Sequence, residues 1–174
     1  MNIPPTNIPP MISSLSSPAV RDGSRGAARR SWNLVGLSTL TAYSTALGWF
    51  AQQAAYPLFG KVGAGEFAAF HEFYNHAILW PVVVPAFIGF ASAAIFPWTR
   101  PRHIPLAPAL VVAASGLTCL ASTVGWAIPM HARLDDEGFA RATLDTLLAA
   151  NLVRTVALTA GTLTLGWCVR RMSR

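Results

Sequence analysis

With 53% hydrophobic and 11% charged residues over 174 positions, and a mean hydropathy of +0.43, the chain has too little polar surface to cover a soluble globule of its size. Its net charge of +6 is divided among short segments between long apolar runs, which excludes the gathered basic face of a nucleic-acid-binding domain. What remains is an all-α integral membrane protein, since a run of about 20 apolar residues crosses the hydrocarbon core as a helix and a barrel would show shorter, alternating segments.

Residues 1–30 are rich in Pro, Ser and Arg and contain no apolar core of signal-peptide length. They are expected to form a disordered, basic cytoplasmic tail, with Met11 an alternative start. Residues 31–174 are expected to form one domain, an antiparallel bundle of four transmembrane helices. The first span covers about 32–56 and carries Gln52 and Gln53 near its outer end. In the loop that follows, KVGAGEFAAFHEFYNHAILW, the residues Phe67, His71, Tyr74, Asn75 and Ile78 recur at spacings of three and four, with Glu66 just before them. That spacing predicts one face of a short interfacial helix running into the second span. Because a lipid anchor would desolvate His, Tyr and Asn for no return, the face is expected to do more than hold the surface.

The second span covers about 77–98, with Pro81 and Pro85 expected to kink it. The third covers about 105–128. After it, AIPMHARLDDEGFARATLDTLL supplies His131, and Asp135 or Asp136 is expected to cap a helix that continues into the fourth span, about 147–169. Small residues four apart (Ser44 and Gly48, Gly89 and Ala93, Ala121 and Gly125, Ala157 and Gly161) permit close helix approach. Cys119 and Cys168 lie at different depths, too far apart for a disulfide.

Orientation follows from the basic residues. Arg21, Arg25, Arg29, Arg30, Arg100, Arg102, Arg170, Arg171 and Arg174 fall on one side, while Lys61, Arg133 and Arg141 share the other with six of the seven acids. The first side is expected to be cytoplasmic, which places both termini inside and the protein in the cell inner membrane. Trp32, Trp98 and Trp167 at inner ends, and Trp49, Trp80 and Trp126 near outer ones, form two interfacial belts.

Arg154 interrupts the fourth span, and a charge there must be paired. It is expected within reach of Gln52, Gln53, Glu66 or His131, flanked by Asn151 and Thr155. The candidate catalytic residues are His71, His131 and Arg154; the candidate substrate-binding residues are Gln52, Gln53, Glu66, Tyr74 and Asn151. An imidazole in such a site can act as general base, while Arg154 with Asn151 can hold a developing phenolate or enolate oxygen. A metal centre of His71, His131 and Glu66 lacks supporting ligand spacing, so none is assigned, and nothing in the sequence names a cofactor.

The stretch QAAYPLFGKVGAGEFAAFH from Gln53 to His71, then Pro129-x-His131-x-x-Leu134 and Asn151-x-x-Arg154-Thr155, resembles a family of small four-helix bacterial membrane proteins of the anthrone-oxygenase-like type. The likeness covers residues 33–170. Ala150 stands where the family pattern has an aromatic residue before the asparagine. The resemblance implies a four-helix bundle, an outer-leaflet polar site around His131, Asn151 and Arg154, and oxidation of a lipophilic aromatic or quinone-like molecule. The partners are then the lipid bilayer and a lipophilic small molecule, with self-association left open. The competing reading is a non-enzymatic membrane component, an accessory or structural subunit or a small-solute transporter, although neither repeated halves nor paired broken helices are present.

Overall fold

The computed structural model describes residues 18–172, which are helical with short turns and contain no strand. Helix α1 spans Pro18–Phe50. It passes through a π-helical turn, Ala51–Ala55, into α2, Tyr56–Phe59. After a turn come α3, Phe67–Ile78, a π-helical turn at Leu79–Val83, α4, Val84–Ala94, and the short α5, Phe96–Thr99. The chain then forms α6, Leu106–Ser122, a third π-helical turn at Thr123–Ala127, and α7, Ile128–Glu137. Helix α8, Arg141–Met172, ends the described chain.

The start of α1 corrects the expected irregular tail. Pro18 occupies the first helical turn, where a missing N–H costs nothing, and the Ala- and Arg-rich stretch after it propagates the helix. Residues 18–30 are therefore helical; the rest of the tail, including Met11, and Arg174 lie outside the described residues. The helix expected in the first outer loop is α3. Its predicted inward face is found, with Phe67 and His71 buried and Tyr74, Asn75 and Ile78 partly buried, while Glu72, Phe73 and His76 are exposed. It runs into the second span as the spacing implied, the backbone staying helical from Phe67 to Ala94. Likewise the segment beyond Ile128 is helix and not loop. The chain leaves it at Gly138, whose φ of 77° a side chain would resist, so Asp135 and Asp136 lie inside α7 and cap nothing.

Among the described residues, three helices are long and apolar enough to cross a membrane: Phe67–Ala94, Leu106–Glu137 and Arg141–Met172. The rod opened by α1 is outside that set because Ser38, Thr39, Thr41, Tyr43, Ser44 and Thr45 dilute its apolar run. These hydroxyls are mostly satisfied. Ser38, Thr41 and Thr45 donate to the carbonyls four residues back, Thr45 also meets Thr162 at 2.7 Å, and Tyr43 donates to the Pro81 carbonyl at 2.8 Å.

Helix α1 packs on α8 and α4, and α6 packs on the same two, so the long helices close a ring. At the lower end, Leu34, Leu37, Phe96, Ile104, Val112 and Leu165 form one core; at the upper end, Tyr56, Phe59, Phe67, Leu134, Leu144 and Leu147 form another. Close approach depends on small residues. A Cβ on Gly48 would stand 2.7 Å from the Thr155 hydroxyl, and one on Gly161 would stand 2.6 Å from the Ser115 hydroxyl, which itself donates to the Ala157 carbonyl. The pair Ala121 and Gly125 is corrected: both are exposed and nothing lies within 4 Å of Gly125's missing Cβ. Five of the six tryptophans are exposed, and the half-buried Trp167 carries the Arg171 guanidinium 4.3 Å above its ring.

Candidate functional site

Each π-helical turn is followed, two residues beyond its end, by a proline: Pro57, Pro85 and Pro129. A proline ring inside a helix clashes with the carbonyl four residues earlier and offers that carbonyl no N–H. Widening the preceding turn relieves this, and the residue just before each proline then donates five residues back: Tyr56 to Ala51, Val84 to Leu79, Ile128 to Thr123. Such single wide turns recur at functional sites. Here all three border one cavity of about 160 Å³, to which they contribute Ala51, Val82, Val83, Thr123 and Ala127. Its walls are apolar along Leu47, Phe87, Phe90 and Leu158, and its polar groups, besides Thr123, are Ser44, Tyr56, Tyr74, His131, Asn151 and Arg154.

A chain of polar contacts leads out of this cavity. His131 Nδ1 lies 3.0 Å from His71 Nε2, and His71 Nδ1 lies 2.6 Å from Asp135 Oδ1. An ionised Asp135 only accepts, so His71 donates from Nδ1 and accepts at Nε2 from His131. That leaves the Nε2 lone pair of His131 facing the cavity side. The Tyr56 hydroxyl approaches it at 3.5 Å, the limit of hydrogen bonding. The two imidazoles meet edge to edge and nearly coplanar, with centroids 5.2 Å apart and planes at 16°, and the Phe67 ring lies nearly parallel to His71 with centroids 5.5 Å apart. Phe59 sets its edge against His71 and Tyr74. His71 is fully buried, whereas the Asp135 side chain is 44% exposed, and Asn75 donates to both its oxygens at 3.3 and 3.2 Å. The chain thus runs from the cavity to the surface.

The second polar group is built on α8. Arg154 Nη2 donates to Asn151 Oδ1 at 2.8 Å and Nη1 to Thr123 Oγ1 at 3.1 Å. Asn151, fully buried, donates in turn to the Gly48 carbonyl at 3.1 Å and to Gln52 Oε1 at 2.8 Å. Asn151 therefore holds the guanidinium by one end of its amide and α1 by the other, which fixes the orientation of both.

Of the residues expected at the site, His71, His131, Tyr74, Asn151, Arg154 and Gln52 are brought together. Gln53 and Glu66 are not: both are exposed, Gln53 on the far side of the π-helical turn and Glu66 at the start of α3. Arg154 finds its partner from another element in Thr123, a residue outside the four expected. Among the described residues, no three His, Cys, Asp or Glu side chains gather as metal ligands. Sequence reasoning also missed Tyr56, Ser44 and Asp135. The prolines at 57, 85 and 129 were the available signal, because each marks the turn that opens the cavity. No family model, curated protein or solved structure matches the chain.

Proposed function

We propose that this chain spans the cell inner membrane four times with both termini cytoplasmic, and binds a lipophilic aromatic or quinone-like molecule in its cavity. There His131 acts as general base in an oxygenase-like reaction. The observation that carries this reading is the hydrogen-bonded series Asp135, His71, His131, which ends on the cavity with the His131 Nε2 lone pair, held only by the long 3.5 Å contact to the Tyr56 hydroxyl. A base needs an oriented lone pair and somewhere for the proton to go. His131 takes a proton from an acidic O–H or C–H of the bound molecule, His71 accepts from His131, and Asp135 meets water at the surface. Arg154, held by Asn151, faces the negative oxygen left behind. With dioxygen as co-reactant, a C–O bond forms at the electron-rich ring carbon of the anion. The resulting hydroperoxide breaks its O–O bond and loses the remaining C–H proton as water, so one oxygen atom ends as a ring carbonyl and the other as water, which is the outcome the anthrone-oxygenase-like resemblance suggests.

Purified protein in lipid nanodiscs tests this with a panel of lipophilic phenols and enols of one to three rings, followed by solvent-deuterium exchange and oxygen uptake. The wild type is expected to accelerate exchange, and His131→Gln to lower the rate by about 10²- to 10⁴-fold, the usual contribution of a positioned base. An absence of exchange and uptake over the whole panel, or equal rates in His131→Gln, overturns the enzymatic reading in favour of a non-enzymatic membrane component.

A further inference from the structure

Arg154 is a charge that its own bundle does not neutralise. Among the described residues the ion pairs are His71 with Asp135 and Arg141 with Asp145, and Glu66, Glu72, Asp136 and Glu137 are exposed at the upper surface. The guanidinium instead meets two neutral oxygens, each through one of its five N–H donors. A cation kept in an apolar cavity on those terms is costly, and an anion in the same cavity removes the cost. A second observation points to the same ligand. Ser44 lines this cavity, is 6% exposed, and its Oγ has no hydrogen-bond partner. A buried hydroxyl left without a partner is destabilising until something in the cavity accepts from it or donates to it.

Size narrows the class. A cavity of about 160 Å³ is close to the engineered apolar cavity of roughly 150 Å³ that takes up benzene. One ring fills that volume; because the cavity is partly open, three fused rings would have to project out of it and leave part of their surface unpacked.

We propose that the cavity takes a one-ring oxyanion, a phenolate or the enolate of a cyclic ketone. Its charged oxygen pairs with Arg154, its ring packs between Leu47, Phe87 and Phe90, and Ser44 meets a second oxygen on the ring. This rests on the base-catalysis reading above, whose substrate class it names. The proton leaves the ring O–H, or the C–H beside the carbonyl, for His131 Nε2, and the electron pair stays on the oxygen that Arg154 faces.

The test uses the full chain in nanodiscs with 4-nitrophenol, which absorbs visible light only as the phenolate. The comparison ligands are 4-nitroanisole, the same ring without an ionisable oxygen, and a three-ring hydroxyanthracene, and empty nanodiscs correct for partition into lipid. Just below the pH at which the phenol half-ionises in water, binding is expected to raise the phenolate absorbance. The phenolate should bind at least about tenfold more tightly than the ether or the three-ring phenol, and Arg154→Gln should remove about that factor, the scale of one charge-assisted contact. Arg154→Lys keeps the charge but not the planar fork, so the absorbance change should persist with weaker binding. Equal affinity for phenol and ether in the wild type, equal affinity for the three-ring phenol, or unaltered phenolate binding in Arg154→Gln overturns the proposal. His131→Gln should still bind the preformed phenolate. Arg154-dependent binding without any base-catalysed exchange would therefore sink the catalytic reading while leaving the oxyanion site standing.

Discussion

At the residue scale, the chemistry turns on which polar groups share one cavity. Arg154, His71 and His131 stood out in the sequence because each interrupts or borders an apolar stretch that has no topological need of it. Asp135 did not, because it sits in the run Asp135, Asp136, Glu137, where any carboxylate looks like solvated surface; only its contact with His71 at 2.6 Å separates it from its neighbours. Asp135→Asn keeps the shape and can still accept from His71, but it removes the negative charge that supports an imidazolium. We expect the protein to fold and the exchange rate to fall by at least about tenfold, as when the carboxylate behind a catalytic histidine is neutralised. A rate equal to wild type would reduce Asp135 to a surface residue.

At the element scale, the π-helical turns set the side-chain directions. Each wide turn adds a residue and so rotates everything beyond it by about 100°, one α-helical step. Pro129→Ala restores an N–H and removes the ring clash that keeps Thr123–Ala127 wide. The turn is then expected to relax to α, swinging His131 off His71 and abolishing exchange while the helical circular dichroism signal and melting temperature are kept or raised. Retained exchange would show that the turn does not depend on its proline. The α1–α8 contact makes a separate prediction. Gly48→Ala puts a methyl 2.7 Å from the Thr155 hydroxyl, an overpacking expected to destabilise by about 1–3 kcal/mol. Because that hydroxyl is buried without a partner, Thr155→Ala should rescue Gly48→Ala. Strictly additive losses in thermal unfolding would refute the contact.

At the scale of the whole molecule, the topology turns on the first rod, since it carries more hydroxyls than any of the three helices apolar enough to span among the described residues. Thr45 against Thr162 and Trp49 Nε1 against the Thr159 hydroxyl turn part of that polarity toward α8, which lowers the cost of immersing α1 in lipid. Reporter fusions after Gly60 and Glu137 are expected to read the periplasm, and those after Arg102 and Arg174 the cytoplasm. A cytoplasmic signal after Gly60 would leave the first rod outside the bilayer and invert the scheme.

The sequence by itself determined the all-helical class, the apolar runs at 77–98, 105–128 and 147–169 as parts of long helices, and the inward face of α3, because hydrophobic length and three-to-four spacing are local properties. It also determined that Arg154 needed a partner, because a charge inside a long apolar run is costly unless polar groups meet it. Asn151, three residues back on α8, was the local partner; which residue of another element joined it was a tertiary matter, and Thr123 was selected over Gln52, Gln53, Glu66 and His131 by how the helices register against one another. That register is set by wide turns whose effect on every later side chain is invisible to periodicity. The hydrogen-bonded series from Asp135 to His131, assembled from two helices about sixty residues apart in the chain, exists only once those helices have packed. Imidazoles find fixed partners there because burial among Phe59, Phe67 and Tyr74 removes the water that would otherwise compete for them.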